Sequence, residues 1–354
     1  MSNVVRLSVP SHRQSKAARQ AALLACFAGH RRGPEDVFWF KENAELLNIL
    51  ECTGAKLDTA ALSPFTEFYQ GAESRLAFFP QYYRFILSIC LDLEDLGLPG
   101  DKAERLCAWT ARQGLAGAEL SDLQRAEARR LMARRGIAAG ADRGLDDRLR
   151  GFIGRSETFA LPNKRAGYEL THIVFYLSEY GRRDPGLDAS ALTSLEFAGI
   201  LAYLDQDADL LAEICIALRY AGQQPSPIWE HWLERETHCF AVAEGPCANP
   251  ADDYHVYFVN SWLMALRGQR DFVKPAEAGA TSFHRAPVPA PPLRQMSMAM
   301  YRMDAARSRD WAAMRPHVEA GLSEIGHDIL AEAEASSDRF EDFFAGFARA
   351  GGMP

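Results

Sequence analysis

Apolar positions recur along the chain every three or four residues, and this spacing predicts helices almost throughout. Between 12 and 31, Arg, Lys and Gln alternate with Ala21, Leu23, Leu24, Cys26 and Phe27, predicting an amphipathic helix capped by Ser11. A second starts at Pro34 and carries Val37, Phe38, Phe40, Ala44, Leu46, Leu47 and Leu50 to a stop at Gly54. Pro64 and Pro80 divide the next stretch, after which helices are predicted over 82–97, 103–113 and 121–135. Ser121 with Gln124 three residues on has the spacing of a capping box. Beyond the central helix at 165–181, further helices are predicted over 189–204, 206–220, 226–243 and 251–267, and through the last 60 residues. Residues 268–293, with five prolines among them, read as a long loop. Strand signals are almost absent, with no period-2 run of β-branched residues and no Asn-Gly or Asp-Gly turn. The expected class is therefore all-α, built from antiparallel helical hairpins.

The Gly/Ala-rich stretch Gly136 to Gly144 is the expected internal boundary, separating an N-terminal portion, 1–136, from a C-terminal portion, 145–354, packed as one unit. A weak echo links Leu91 to Asp101 with Tyr176 to Asp188: each is a helix end, a glycine stop, a Pro-Gly turn and an acidic cap. Such repetition is consistent with an α/α array or toroid around a central cavity.

The helix at 165–181 is the one whose polar side looks chemical. At 100° per residue Glu169, His172, Tyr176 and Glu179 form one stripe, and Leu170, Ile173, Val174 and Leu177 fill the other side. No Lys or Arg interrupts the stripe, and Tyr168, Phe175 and Tyr180 flank it, so a cavity wall or a partner surface is expected rather than a solvated face.

Glu169 and His172 also have the E-x-x-H spacing that places a carboxylate and an imidazole on adjacent turns for one metal, and Glu324 and His327 repeat it. Two such pairs would suit a di-iron carboxylate oxidoreductase. Helical phase argues against the second pair: over 317–331 the apolar stripe is Val318, Leu322, Ile325 and Ile329, and His327 points nearly opposite, toward water. On the 226–243 helix, His231, Glu234 and His238 stand at i, i+3 and i+7, a set of donors suited to zinc or iron. The competing account is an amphipathic helix with a polar outer face over Ile228, Trp229, Trp232 and Leu233. His255 shares a face with Phe258, Val259, Trp262 and Leu266 and is expected to point into the core. A buried imidazole needs a partner, for which Glu169, Glu179 or Tyr176 would serve. It is then either a satisfied core histidine or an acid/base group acting with His172.

The basic stretch from Arg125 to Arg155 is interleaved with Asp122, Glu127, Asp142, Asp146 and Asp147, which favours ion-paired helix surface over an anion pocket. The acidic turn Asp205 to Asp209 lacks the later glycine and glutamate of a calcium loop and reads as a helix N-cap. There is no Gly-rich phosphate loop and no G-x-S-x-G elbow.

Composition narrows the function classes. A length of 354 residues with 48% hydrophobic content allows one large core or two closely packed ones. The net charge of −8 argues against partners that need a basic surface, so neither nucleic acid nor membrane is expected as a partner. No apolar run approaches the length of a membrane span, and the first ten residues lack a secretory core. Seven scattered cysteines without a CxxC pair read as reduced thiols, which points to the cytoplasm.

The segments Phe78 to Phe85, Leu91 to Gly97 and Tyr168 to Gly181 resemble those of an uncharacterised bacterial, alphaproteobacterial family of unknown function. That resemblance implies no activity and no site residue. From the residues themselves, the leading expectation is a small-molecule-binding protein or enzyme whose cavity is walled by Glu169, His172, Tyr176, Glu179 and His255, with a transition metal as candidate cofactor. The alternatives are a helical scaffold that binds a protein partner through the 168–180 face or the Pro-rich loop, and a metal-dependent oxidoreductase using Glu169 and His172.

Overall fold

The computed structural model describes residues 14–140, 142–244, 252–274, 276, 279–286 and 290–350. The chain is all-α. Ser15 caps α1 (Lys16–Gly29) by accepting from Ala18 N; the expected cap, Ser11, lies outside the described residues. Asp36 caps α2 (Val37–Cys52), which therefore begins three residues after the expected Pro34 start. α3 (Thr59–Leu62), α4 (Thr66–Phe78), α5 (Tyr83–Asp95) and α6 (Lys102–Arg112) follow. Next come α7 (Asp122–Ala133), α8 (Leu145–Ile153), α9 (Ser156–Phe159), α10 (Lys164–Leu177), α11 (Ala189–Leu204), α12 (Ala208–Tyr220) and α13 (Pro227–His238). After α14 (Tyr254–Leu266) the chain ends in α15 (Pro292–Met303), α16 (Trp311–Glu319), α17 (Glu324–Ala335) and α18 (Phe340–Phe347). Among the described residues, no helix is long and apolar enough to cross a membrane.

Three details differ from the sequence expectation. The helix predicted to run to 243 stops at His238, and β1 (Ala241–Glu244) pairs antiparallel with β2 (Thr281–His284), inside the stretch read as loop. In Ala-Val-Ala-Glu only Val242 favours a strand, so pairing with β2 decides the conformation. The single helix assumed over 317–331 is two, broken at 320–323 where Ser323 caps α17. The phase of Val318 therefore does not carry over, and Ile325, expected in the apolar stripe, is half exposed. Finally, α10 ends at Leu177, and Glu179, Tyr180 and Gly181 all take positive φ, at 50°, 54° and 83°. Glu179 is thus off the helix on which its place in the stripe was reckoned.

The chain forms two compact units, each discontinuous in sequence. One comprises the described parts of Met1–Leu115, Leu131–Ala139 and Thr237–Arg285; the other those of Ala116–Arg130, Gly140–Glu236 and Ala286–Pro354.

In the first unit α2 packs along α5, with α1 and α14 also against α2, and α4 and α6 against α5. The unit holds a charge away from water. Arg31, whose side chain is wholly buried, donates from Nε to Glu42 (2.9 Å), from Nη1 and Nη2 to Asp252 (2.8 Å each), and from Nη1 to the Thr281 carbonyl (2.7 Å). Burial opposes charge on the guanidinium, but the bonds to Asp252 and Glu42 outweigh it and raise its pKa further. Of the cysteines described, Cys26, Cys90, Cys107 and Cys215 are buried, Cys52 is half-buried and Cys239 is exposed, and none is in a disulfide; Cys247 lies outside the described residues.

The second unit is built around α11. This helix is buried along most of its circumference and meets α8, α9, α10, α12, α15, α17 and α18, as expected of a largely apolar helix. Gly199 sits at its closest contact: a Cβ there would lie 2.4 Å from Cη2 of Trp229, so only glycine fits.

Replacing Arg31 by Met strips Asp252 of its buried counter-charge and Glu42 of one of two arginines. The expected loss is about 3–5 kcal/mol, read as a lower urea midpoint at neutral pH; an unchanged midpoint would show that the cluster contributes no stability.

Candidate functional site

Within the second unit, α10 and α12 meet along a seam that is apolar except for one polar line. Asn163 opens α10 by accepting from Ala166 N (3.2 Å). One turn on, Gly167 lets the helices approach, since a Cβ there would stand 2.9 Å from Cδ2 of Leu210. Lys164 reaches Asp205 (2.8 Å) and Asp207 (2.9 Å). Tyr168 donates its hydroxyl to Asp209 (2.8 Å), and Thr171 donates to the buried carboxylate of Glu213 (2.5 Å). Burial, with Asp209 and Asp207 beside it, pushes the Tyr168 phenol well above its ordinary pKa, so it remains the donor. Burial opposes charge on Lys164, but its two aspartates raise its pKa above the usual lysine value.

His172 stands at the far end of this line. Its Nδ1 lies 2.8 Å from the carbonyl oxygen of Tyr168 and 3.7 Å from Oε2 of Glu213. A carbonyl only accepts, so Nδ1 carries the proton and Nε2 keeps the lone pair in the neutral ring.

At the near end of the seam is a cavity of about 310 Å³. Phe159, Leu161, Leu201, Leu210 and Leu293 give it apolar walls, with Ala198, Ala202 and Gly167 where side chains are small or absent. Its polar edge holds Lys164, Asp205 and Asp207 from the seam, and Arg294 from the first turn of α15.

The α10 stripe is not an open face. Tyr176 is 8% exposed, Glu169 is half-buried, and the side chains of His172 and Glu179 are 34% and 23% exposed. His172 packs edge-on against Tyr176, ring centroids 6.1 Å apart. Glu179 is met by a cation from α7: Nε of Arg130 lies 3.4 Å from its carboxylate, and the same guanidinium stacks on Tyr180 at 4.3 Å.

His255 belongs to the first unit. Its side chain is 28% exposed, so it is not the fully buried core histidine that its phase predicted, and its Nε2 lies 3.8 Å from Glu45 of α2. Tyr254 donates to the same carboxylate at 2.9 Å. His231 and His238 are exposed and Glu234 is half-buried on α13. Glu324 and His327 are exposed on α17; His327 points outward as expected, although the helix break removes the phase on which that expectation was reckoned.

Sequence reasoning read the acidic turn at 205–209 as a helix N-cap, and Asp207 does cap α12, but it passed over Glu213. Asp205, Asp209 and Glu213 recur at i, i+4 and i+8, and Glu213 is a lone charge in an apolar run, which was the available signal. The basic stretch is ion-paired as expected, with Arg129 on Asp146 and Arg148 on Asp122 and Asp142.

The chain belongs to the DUF6902 family, a domain of unknown function, whose profile matches residues 1–350. No curated protein and no solved structure matches it. Membership thus brings no reaction with it, and the chemistry has to be argued from the seam and the cavity.

Two outcomes are expected of the seam. Thr171→Val leaves the Glu213 carboxylate short of a donor and lowers stability by about 1–3 kcal/mol in urea titrations, whereas a loss near zero would mean that the hydroxyl bond is not needed. In ¹⁵N NMR of the neutral His172 ring, the proton should reside on Nδ1; a neutral ring protonated on Nε2 contradicts the bond to the Tyr168 carbonyl.

Proposed function

We propose that the protein binds a small, largely apolar molecule in the cavity of the second unit, at the start of α10. The observation that carries this reading is the cavity's make-up: a mostly apolar lining with four charged groups, Lys164, Asp205, Asp207 and Arg294. Ligand sites have this character, an apolar enclosure of roughly 300–1,000 Å³ with a few convergent polar groups that fix orientation. A packing defect between helices would be smaller and lined by apolar atoms alone.

The local construction supports the same reading. Lys164 is anchored by two aspartates at the rim, so its head is held at the edge and does not fold into the space. Four candidates from the sequence, Glu169, His172, Tyr176 and Glu179, are not among the lining residues. The reading is therefore one of binding, and it assigns no reaction to His172.

The test uses N-phenyl-1-naphthylamine, a neutral apolar dye that brightens when enclosed. Saturable binding of one dye per chain is expected. Ala202→Phe, which places a ring in the cavity, should weaken it at least tenfold while leaving the helical circular dichroism unchanged. Equal binding by both proteins, or none by the unsubstituted one, would overturn the proposal.

A further inference from the structure

Resting on that reading, we infer that the ligand is an amphiphile with one carboxylate, its apolar body inside the cavity and its carboxylate at the rim on Arg294. Two cations border the space. The ammonium of Lys164 is already shared between Asp205 and Asp207, at 2.8 and 2.9 Å. Arg294 makes no hydrogen bond or ion pair among the described residues, yet it lines the cavity and is exposed to solvent. Among the described residues that line the cavity, the charge left without a protein partner is therefore positive.

The sign of the ligand follows. A cationic head would have to compete with Lys164 for Asp205 and Asp207, and Asp207 is further committed to capping α12 through Leu210 N. An uncharged ligand would leave Arg294 to solvent and gain nothing from it. A carboxylate meets the planar guanidinium with two parallel hydrogen bonds. It also lies close to the first turn of α15, where no side chain caps the backbone N–H groups and the helix dipole favours negative charge. The apolar walls below exclude a small hydrophilic acid, since its polar remainder would be buried without partners.

The test is displacement of N-phenyl-1-naphthylamine by three ligands with the same tail: decanoate, 1-decanol and decylammonium. Decanoate is expected to displace the dye best and decylammonium worst. Arg294→Ala should weaken decanoate about tenfold, the size of one charge-assisted hydrogen-bonded contact, and leave 1-decanol unchanged. Arg294→Lys should recover part of the loss. If 1-decanol and decanoate compete equally and Arg294→Ala alters neither, the cavity still binds and the carboxylate inference fails. If the unsubstituted protein does not bind the dye, the cavity reading fails and takes this inference with it.

Discussion

Arg31 carries a positive charge where no water reaches it, and the first unit is arranged to make that tolerable. Isolated, such a charge would cost several kcal/mol in desolvation. Instead Nε, Nη1 and Nη2 all find acceptors, on Glu42, Asp252 and the Thr281 carbonyl, and the rings of Phe27, Tyr254 and Phe283 close over the guanidinium at 4.7 to 5.5 Å. These groups come from the end of α1, from α2, from the start of α14 and from β2, segments separated by more than 200 residues. The same acids extend the arrangement. Asp252 also accepts from Phe283 N, and Asp253 from Arg285 N, so that β2 is held by side chains along with its ladder to β1. A two-stranded ribbon of four residues a side has little stability of its own, and these acceptors explain why it forms here.

The second unit solves burial in the opposite way. α11 is mostly apolar, and the packing around it is largely a matter of shape, as Gly199 against Trp229 shows. Polarity is concentrated in the line between α10 and α12, where each acid at the start of α12 and along it is answered from α10: Asp205 and Asp207, just before the helix, by Lys164, Asp209 by Tyr168, Glu213 by Thr171. Buried carboxylates persist only when so paired. One end of that line emerges at the cavity, which is why the cavity has a charged edge at all.

The helices were legible because their apolar spacing is repeated over many turns, and a core stripe of that kind is a property of the local sequence. Failures came where tertiary contact overrides a local preference. Ala241 to Glu244 becomes a strand only because β2 is beside it, and the 317–331 stripe was drawn through Gly321 and Ser323, which end one helix and cap the next. The importance of α10 was visible in its lack of cations, but its partners were not. A stripe shows that a face needs a polar neighbour without naming the helix that supplies it, and Glu213 becomes meaningful only once Thr171 is known to lie 2.5 Å away. The cavity left no trace in the sequence, since an enclosed volume depends on how side chains from α10, α11, α12 and α15 fail to fill a common space.

Gly167 connects the seam to the cavity. With no side chain there, Leu210 of α12 comes to within 2.9 Å of where a Cβ would be, and this close approach is what allows the short bonds from Tyr168 to Asp209 beside it and from Thr171 to Glu213 one turn further along. Gly167 and Leu210 also both line the cavity. Any side chain at this position would enter the space, and it would also lever α12 away from α10, lengthening bonds that keep Asp209 and Glu213 satisfied. The glycine accordingly sets both the room for a ligand and the register of the acids behind it, so that neither can be altered at this point without the other.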